Sequence, residues 1–131
     1  MKNSRICISS TGIDLNSDVD PRFGRCDYFL IINTKNMDFE IINNTSSKEF
    51  GGAGIKAAEL ISKKGTDIVI TGNVGPNAFQ TLKAANIKVI TGASGNIKNI
   101  LDKFINGELK VIDEPNVRSH FGMRNKGGEN L

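Results

Sequence analysis

The sequence predicts an α/β fold in which a mixed, mostly parallel sheet of five strands carries helices on both faces. Three short runs rich in β-branched residues each end at a Thr-Gly pair. The pairs are Thr11-Gly12, Thr71-Gly72 and Thr91-Gly92. After the two later pairs, apolar residues recur at helical spacing. Such strand-to-helix connections are typical of parallel neighbours in a sheet.

The strands can be assigned in order along the chain. The first is predicted at residues 6–8, which are Ile, Cys and Ile and precede a polar segment. The next two, residues 28–32 and 39–42, are apolar runs joined by polar residues 33–36, which indicates a hairpin. Residues 68–70 and 89–90 complete the five strands, and residues 109–112 form a possible last strand.

Three helices are predicted from apolar residues spaced three and four apart. The first runs from Ala53 to Lys64. The second begins at Pro76, a residue that suits a first helical turn. The third follows Asn96 and stops at Gly107. The predicted element order is therefore β-β-β-α-β-α-β-α.

Length and composition restrict the class of protein. A chain of 131 residues, 38% of them hydrophobic, can bury one core. We expect residues 1–113 to form one domain and residues 114–131 to form a flexible tail. The formal net charge is +3 and the lysines are dispersed, which does not indicate a nucleic-acid-binding face. No apolar run has the length of a signal-peptide core or a membrane span, which predicts a cytoplasmic protein with reduced cysteines.

A basic turn with a thiol precedes the second strand, where residues 20–29 read Asp-Pro-Arg-Phe-Gly-Arg-Cys-Asp-Tyr-Phe. Fixed positive charge on Arg22 and Arg25 favours the thiolate form of Cys26, which makes this cysteine a candidate soft metal ligand. The alternative is that Cys26 only fills space in the core, because free cysteine is among the most buried residue types.

Two glycine-containing segments, residues 51–54 and 73–77, precede predicted helices. At the carboxyl edge of a parallel sheet, the exposed amides of such helix starts attract anions. We therefore expect one electropositive crevice that binds an anionic cofactor, with Cys26 as the metal ligand. The expected binding residues are Arg22, Arg25, Cys26, Gly52, Gly54, Asn73, Gly75 and Asn77. The glycines are also compatible with ordinary tight turns, because neither segment matches a phosphate loop or a dinucleotide fingerprint.

Other candidate sites are weaker. The carboxylates suggest a hard-metal site, but their spacing lacks the regular pattern of a calcium loop. They are Asp14, Asp18, Asp20 and Asp27. The single histidine, His120, lies in the predicted tail and is a weak candidate for a metal ligand. Because no nucleophile elbow accompanies it, no hydrolytic triad can be assembled, and we predict that the protein is not an enzyme.

Three motifs in order carry a family resemblance. They are Arg22-Phe23-Gly24-Arg25 with Tyr28-Phe29, then Gly51-Gly52-Ala53-Gly54-Ile55, then Gly75-Pro76-Asn77-Ala78-Phe79. Together they resemble the dinitrogenase iron-molybdenum cofactor biosynthesis family, as a stand-alone single-domain member, over residues 6–112. The resemblance implies a ribonuclease-H-like fold and the binding of iron-sulfur-containing cofactors during nitrogenase cofactor assembly.

The leading hypothesis is non-enzymatic binding or carriage of an iron-sulfur or iron-molybdenum-type cluster, with a cluster-donor or cluster-acceptor protein as partner. The alternative is a metal-free regulatory or scaffolding module that binds a partner protein or a small anion through the same loops. A metal-dependent nuclease, suggested by analogy of fold, ranks last because the first predicted strand carries no carboxylate.

Overall fold

The computed structural model describes residues 4–116. Within this range the elements follow the predicted order. The strands are β1 Arg5–Ser10, β2 Tyr28–Asn33, β3 Phe39–Asn43, β4 Ile68–Ile70 and β5 Lys88–Ile90. The helices are α1 Ala53–Ser62, α2 Pro76–Ala84 and α3 Ile97–Ile105. None of these three helices has the length and apolar character needed to cross a membrane.

The five strands form one sheet in the order β3-β2-β1-β4-β5. Strand β1 runs parallel to β4, and β4 runs parallel to β5. The β1–β2 and β2–β3 pairs are antiparallel. The predicted mixed α/β sheet is confirmed, but parallel and antiparallel neighbours are equal in number, so the sheet is not mostly parallel. The hairpin explains the difference, because β2 and β3 are joined by a short turn instead of a crossover helix.

Both faces of the sheet are covered. Side chains alternate across a strand, so successive residues of β1 enter different layers. On one face Cys7 and Val69 pack against α1 and α2. On the other face Ile8 and Ile70 pack against α3. The prediction of helices on both faces is confirmed, and α1 and α2 lie together on the same side.

The residues after α3 wrap around the β5 edge of the sheet. Leu109 packs against the core on the α3 face, whereas Ile112 packs against the core on the opposite face. The backbone N–H of Ile112 donates to the Val89 carbonyl at 2.8 Å. Residues 109–112 therefore cover this edge but are not a strand, which corrects the predicted last strand. Residues 117–131, most of the predicted tail, lie outside the described part of the chain.

The loop after β1 returns across the ends of β1 and β4. Ser9 is fully buried, and its hydroxyl donates to the Asp20 carbonyl at 2.6 Å. The same Ser9 oxygen lies 2.7 Å from the hydroxyl oxygen of Thr71, at the end of β4. These bonds fix the basic turn at the carboxyl edge of the parallel strands, where the connections to α1 and α2 also lie.

Candidate functional site

A cavity of about 750 Å³ opens at this edge of the sheet. Three segments line it: residues 22–25 of the basic turn, residues 50–55 that lead into α1, and residues 73–78 that lead into α2. All of the predicted binding residues except Cys26 lie on its wall. They are Arg22, Arg25, Gly52, Gly54, Asn73, Gly75 and Asn77. The structure therefore brings the basic turn and both glycine segments together.

Close backbone contacts hold the walls of the cavity together. A Cβ atom built on Gly54 would lie 3.1 Å from the Cβ of Ala78, where α1 and α2 meet. A Cβ atom on Gly72 would lie 2.6 Å from the Cα of Pro21, so a larger residue cannot fit between β4 and the basic turn. Glycine at these two positions allows the backbones to approach to contact distance.

The helices at the cavity differ from α3 in how they begin. The N-cap residues of α1 and α2 are Gly52 and Gly75, and neither helix has a side-chain cap. In α3 the side chain of Asn96 accepts hydrogen bonds from the N–H groups of Lys98 and Asn99. The first-turn amides of α1 and α2 thus lack a side-chain acceptor, and their residues line the cavity. Free amides and two helix dipoles make this wall attractive to an anion.

Arg22 adds a full positive charge to the wall. Its Nε and Nη2 atoms donate to the carboxylate of Asp20, each at 3.3 Å. The hydrogen bond and the charge of Asp20 raise the pKa of Arg22. The Asp20 side chain is 7% exposed whereas that of Arg22 is 64% exposed, so a buried carboxylate anchors an accessible guanidinium. The remaining N–H donors of Arg22 are available to a ligand.

Arg25 has a different role because its donors bind the protein itself. Its Nη1 atom donates to the carbonyls of Ser47 and Glu49, at 3.1 and 2.6 Å. Glu49 also pairs with Lys56 of α1 at 2.9 Å. These contacts tether the segment before Phe50, whose fully exposed side chain lies at the cavity mouth. Phe50 was not among the predicted site residues.

Cys26 is a core residue, which corrects the expectation of an arginine-stabilised thiolate ligand. Its side chain is fully buried and its Sγ donates to the Phe23 carbonyl at 3.4 Å. Burial raises the pKa of Cys26 to about 12, and the nearby charge of Asp20 raises it as well. Cys7 is also fully buried, and burial raises its pKa well above the ordinary value. Both cysteines are free, as predicted.

The weaker candidates do not form a metal centre in the described range. The carboxylate of Asp14 accepts the backbone N–H of Asn16 at 2.9 Å, and Asp20 binds Arg22. Across residues 4–116 no group of three or more His, Cys, Asp or Glu side chains could hold a metal ion. His120 lies outside the described residues.

Asn44 supports the basic turn, a role that was not predicted from the sequence. Its side chain is buried, and its Nδ2 atom donates to the carbonyls of Gly24 and Cys26, at 3.2 and 2.8 Å. A polar residue directly after the apolar strand β3 is the only sequence signal for this role, and such a signal is common at strand ends.

Known proteins match this chain over most of its length. Residues 4–107 match the model of the dinitrogenase iron-molybdenum cofactor family. The chain belongs to this family. The match includes the whole sheet, the three helices and every residue that lines the cavity. The family resemblance carried by the three sequence motifs is therefore confirmed.

Individual relatives extend over most of the chain. The orange protein of Desulfovibrio gigas, solved in its apo form, is 37% identical and superposes with a TM-score of 0.84 over 86% of this chain and 96% of its own. A Thermotoga protein assigned to the DUF35 family is 39% identical, with a TM-score of 0.73 over 82% and 92%. An uncharacterized protein of Methanocaldococcus jannaschii is 33% identical and aligns with 75% of this chain and 86% of its own.

Proposed function

We propose that this protein binds and carries an anionic metal-sulfur cluster, of the iron-sulfur or iron-molybdenum type, in the cavity between the basic turn and the starts of α1 and α2. The observation that carries the proposal is the convergence of two helix starts without side-chain caps and an accessible Arg22 on one cavity. Membership of the dinitrogenase iron-molybdenum cofactor family selects a metal-sulfur anion among the anions that such a wall could attract.

The proposed mode of binding uses hydrogen bonds and charge instead of a cysteine ligand. Both cysteines lie within residues 4–116 and are fully buried, so neither thiol reaches the cavity. Sulfide atoms at the surface of a cluster accept hydrogen bonds, and backbone amides and guanidinium groups are suitable donors. The wall offers the first-turn amides of α1 and α2 together with Arg22.

This mode suits a carrier better than a permanent redox centre. A cluster without a protein thiolate can leave the cavity without breaking a metal-sulfur bond to the chain, so its transfer to an acceptor protein requires only the exchange of hydrogen bonds. The exposed aromatic ring of Phe50 at the mouth would contact such a partner. The apo form of the Desulfovibrio gigas relative supports a removable bound group within this fold.

Binding of tetrathiomolybdate, a dianion of molybdenum and sulfide, tests the proposal. We expect anaerobic equilibrium dialysis to show saturable binding and a change in the visible spectrum of the anion. Arg22→Gln should weaken this binding about tenfold, which corresponds to about 1.4 kcal/mol. Lys98→Gln is the matched control, because Lys98 is an exposed cation on α3, away from the cavity.

The competing function, a metal-free module for small anions, predicts a different selectivity. Such a module would bind sulfate or molybdate as tightly as the thio-anion, because helix-start amides donate hydrogen bonds to any compact anion of this charge. Preference for tetrathiomolybdate over molybdate supports the cluster carrier. Equal affinity supports the alternative, and absence of binding by the wild-type chain contradicts both.

A further inference from the structure

The segment that follows α3 inserts one side chain into the connection between β4 and α2. The side chain of Asn116 makes three hydrogen bonds there. Its Oδ1 accepts the backbone N–H of Val74 at 2.7 Å. Its Nδ2 donates to the Gly72 carbonyl at 3.2 Å and to Oδ1 of Asn73 at 3.1 Å. A side-chain amide supplies an acceptor and two donors from one group, so neither a carboxylate nor a hydroxyl could replace all three bonds.

The backbone that leads to Asn116 is held by the sheet. Ile112 packs against the core, and its backbone N–H donates to the Val89 carbonyl at 2.8 Å. Asn116 therefore extends from a segment that is already packed at the β5 edge. Its hydrogen bonds join that segment to the cavity wall, which Asn73 and Val74 line.

Asn73 connects Asn116 to the basic turn. Its backbone N–H donates to the Pro21 carbonyl at 2.8 Å, and its own carbonyl accepts the N–H of Phe23 at 3.3 Å. The side-chain Nδ2 of Asn73 also donates to the Pro21 carbonyl, at 3.3 Å. Because Oδ1 of Asn73 accepts from Asn116, the amide of Asn73 is oriented with its donor group toward Pro21.

Arg22 lies between the two residues of the basic turn that Asn73 contacts. Arg22 and Asn73 also pair as an isolated parallel β-bridge. The guanidinium of Arg22 is held by Asp20, whereas its backbone is held by the contacts with Asn73 on either side. The position of this charge relative to the first-turn amides of α2 therefore depends on Asn73, which precedes α2 in the same connection.

We propose that Asn116 is a positioning residue for Arg22, and that it acts through Asn73 to hold the guanidinium in place for the bound anion. This inference rests on the proposed function and adds to it a residue that acts through geometry instead of by contact with the anion. A guanidinium that is fixed in advance loses less conformational freedom when an anion binds, so fixing it strengthens binding without a new contact.

Amide hydrogen exchange tests this connection in the full chain without any cargo. In Asn116→Ala the amide of Val74 loses its acceptor and should exchange faster whatever else Asn116 does. The proposal expects the amide of Phe23, which binds the Asn73 carbonyl, to exchange several-fold faster as well, with no change at Ile100 of α3. Unchanged exchange at Phe23 would overturn the proposal. Equal acceleration at Ile100 would show a general loss of stability and would also overturn it.

Asn116→Asp separates the two halves of the side-chain amide. A carboxylate can still accept the N–H of Val74, but it cannot donate to Asn73. We therefore expect slow exchange at Val74 together with accelerated exchange at Phe23. Asn99→Asp, at an exposed position of α3, is the matched control for the added charge. Slow exchange at both amides in Asn116→Asp would show that the bond to Asn73 does not position the basic turn, which overturns the proposed route.

Tetrathiomolybdate binding tests whether the positioning acts through Arg22. Asn116→Ala should weaken binding about threefold to tenfold, whereas the control Asn99→Ala should leave it unchanged. In a chain that already carries Arg22→Gln, Asn116→Ala should have little further effect, since the group that it positions is gone. Additive losses, or unchanged affinity in the single variant, would overturn this inference and leave the proposed function intact. Absence of binding by the wild type would instead contradict the proposed function, while hydrogen exchange at Phe23 still decides whether Asn116 holds the basic turn.

Discussion

Gly24 and Gly54 lie in backbone contact, where the basic turn crosses the start of α1. A Cβ atom built on Gly24 would lie 2.8 Å from the Cα of Gly54 and 2.9 Å from its backbone nitrogen. Both residues line the cavity. The distance between Arg22 and the amides of α1 therefore depends on the absence of a side chain at residue 24.

Gly24→Ala should separate these two walls. The new methyl group meets backbone atoms that cannot rotate away, so we expect a loss of about 1–3 kcal/mol in the free energy of unfolding. Urea unfolding would measure it, and tetrathiomolybdate binding should weaken in parallel. Gly51→Ala is the matched control, because a Cβ atom there meets nothing within 4 Å. Equal stability of the two variants would contradict the contact.

Gly75→Asp should weaken anion binding and stabilise α2. Gly75 is the N-cap of α2 and has an extended backbone, with φ of −83°, that any residue can adopt. An aspartate there can accept hydrogen bonds from the first-turn amides, which would raise stability by a few tenths of a kcal/mol. Its carboxylate also competes with an anion for the same donors.

We therefore expect tetrathiomolybdate binding to fall at least about tenfold in Gly75→Asp while the melting temperature is kept or raised. Asn96→Ala provides the opposite pattern as a control. It removes the side-chain cap of α3 and should cost about 1 kcal/mol in the free energy of unfolding without changing anion binding. Full binding by Gly75→Asp would show that the α2 amides do not contact the anion.

Local signals were sufficient to predict most of the fold and the location of the cavity. Apolar runs that end at Thr-Gly predicted β1, β4 and β5, two apolar runs joined by a polar loop predicted β2 and β3, and Pro76 marked the start of α2. The parallel strands β1 and β4 place their following loops at one edge, which brings Arg22 and Gly75 to the same cavity. The boundaries of α1 differed only at its end, since the helix stops at Ser62 instead of Lys64.

Properties that depend on tertiary contacts could not be predicted. Cys26 has basic neighbours in sequence, but Arg25 binds carbonyls of the β3–α1 connection and Arg22 binds Asp20. Burial therefore has the largest effect on the pKa of the Cys26 thiol and raises it. The side chain of Asn116 accepts the backbone N–H of Val74 and donates to the Gly72 carbonyl, both more than forty positions earlier, and no local pattern encodes such contacts.

The buried thiols predict low reactivity in the native protein. Neither Cys7 nor Cys26 is exposed, and the raised pKa of each keeps it protonated near neutral pH. Ellman's reagent at pH 8 should therefore react with neither cysteine until urea is added, after which both react. A thiol that titrates rapidly in the folded chain would contradict this burial.

Cys26→Ala should still bind tetrathiomolybdate with wild-type affinity, although removal of a buried sulfur is expected to cost about 1 kcal/mol of stability. Binding and stability measurements separate a packing role from a ligand role. Loss of a metal ligand would weaken binding, whereas loss of a packing residue would lower only the stability. Loss of binding by a variant that remains folded, as judged by circular dichroism, would restore Cys26 as a ligand.

The same two thiols predict that stability falls at alkaline pH. In the unfolded chain a cysteine ionises with a pKa of about 8.5, whereas burial raises the pKa of Cys26 to about 12 in the folded chain. Between these values the folded state holds more protons than the unfolded state, so the free energy of unfolding decreases as pH rises. The stabilising effect is complete below the lower value and is lost progressively toward the upper one.

Cys26→Ser removes one of the two titrating thiols and should flatten this decrease between pH 9 and about 10.5. Urea unfolding at half-unit steps of pH would compare the variant with the wild type, and parallel curves above pH 9 would show that the folded chain ionises Cys26 as readily as the unfolded one.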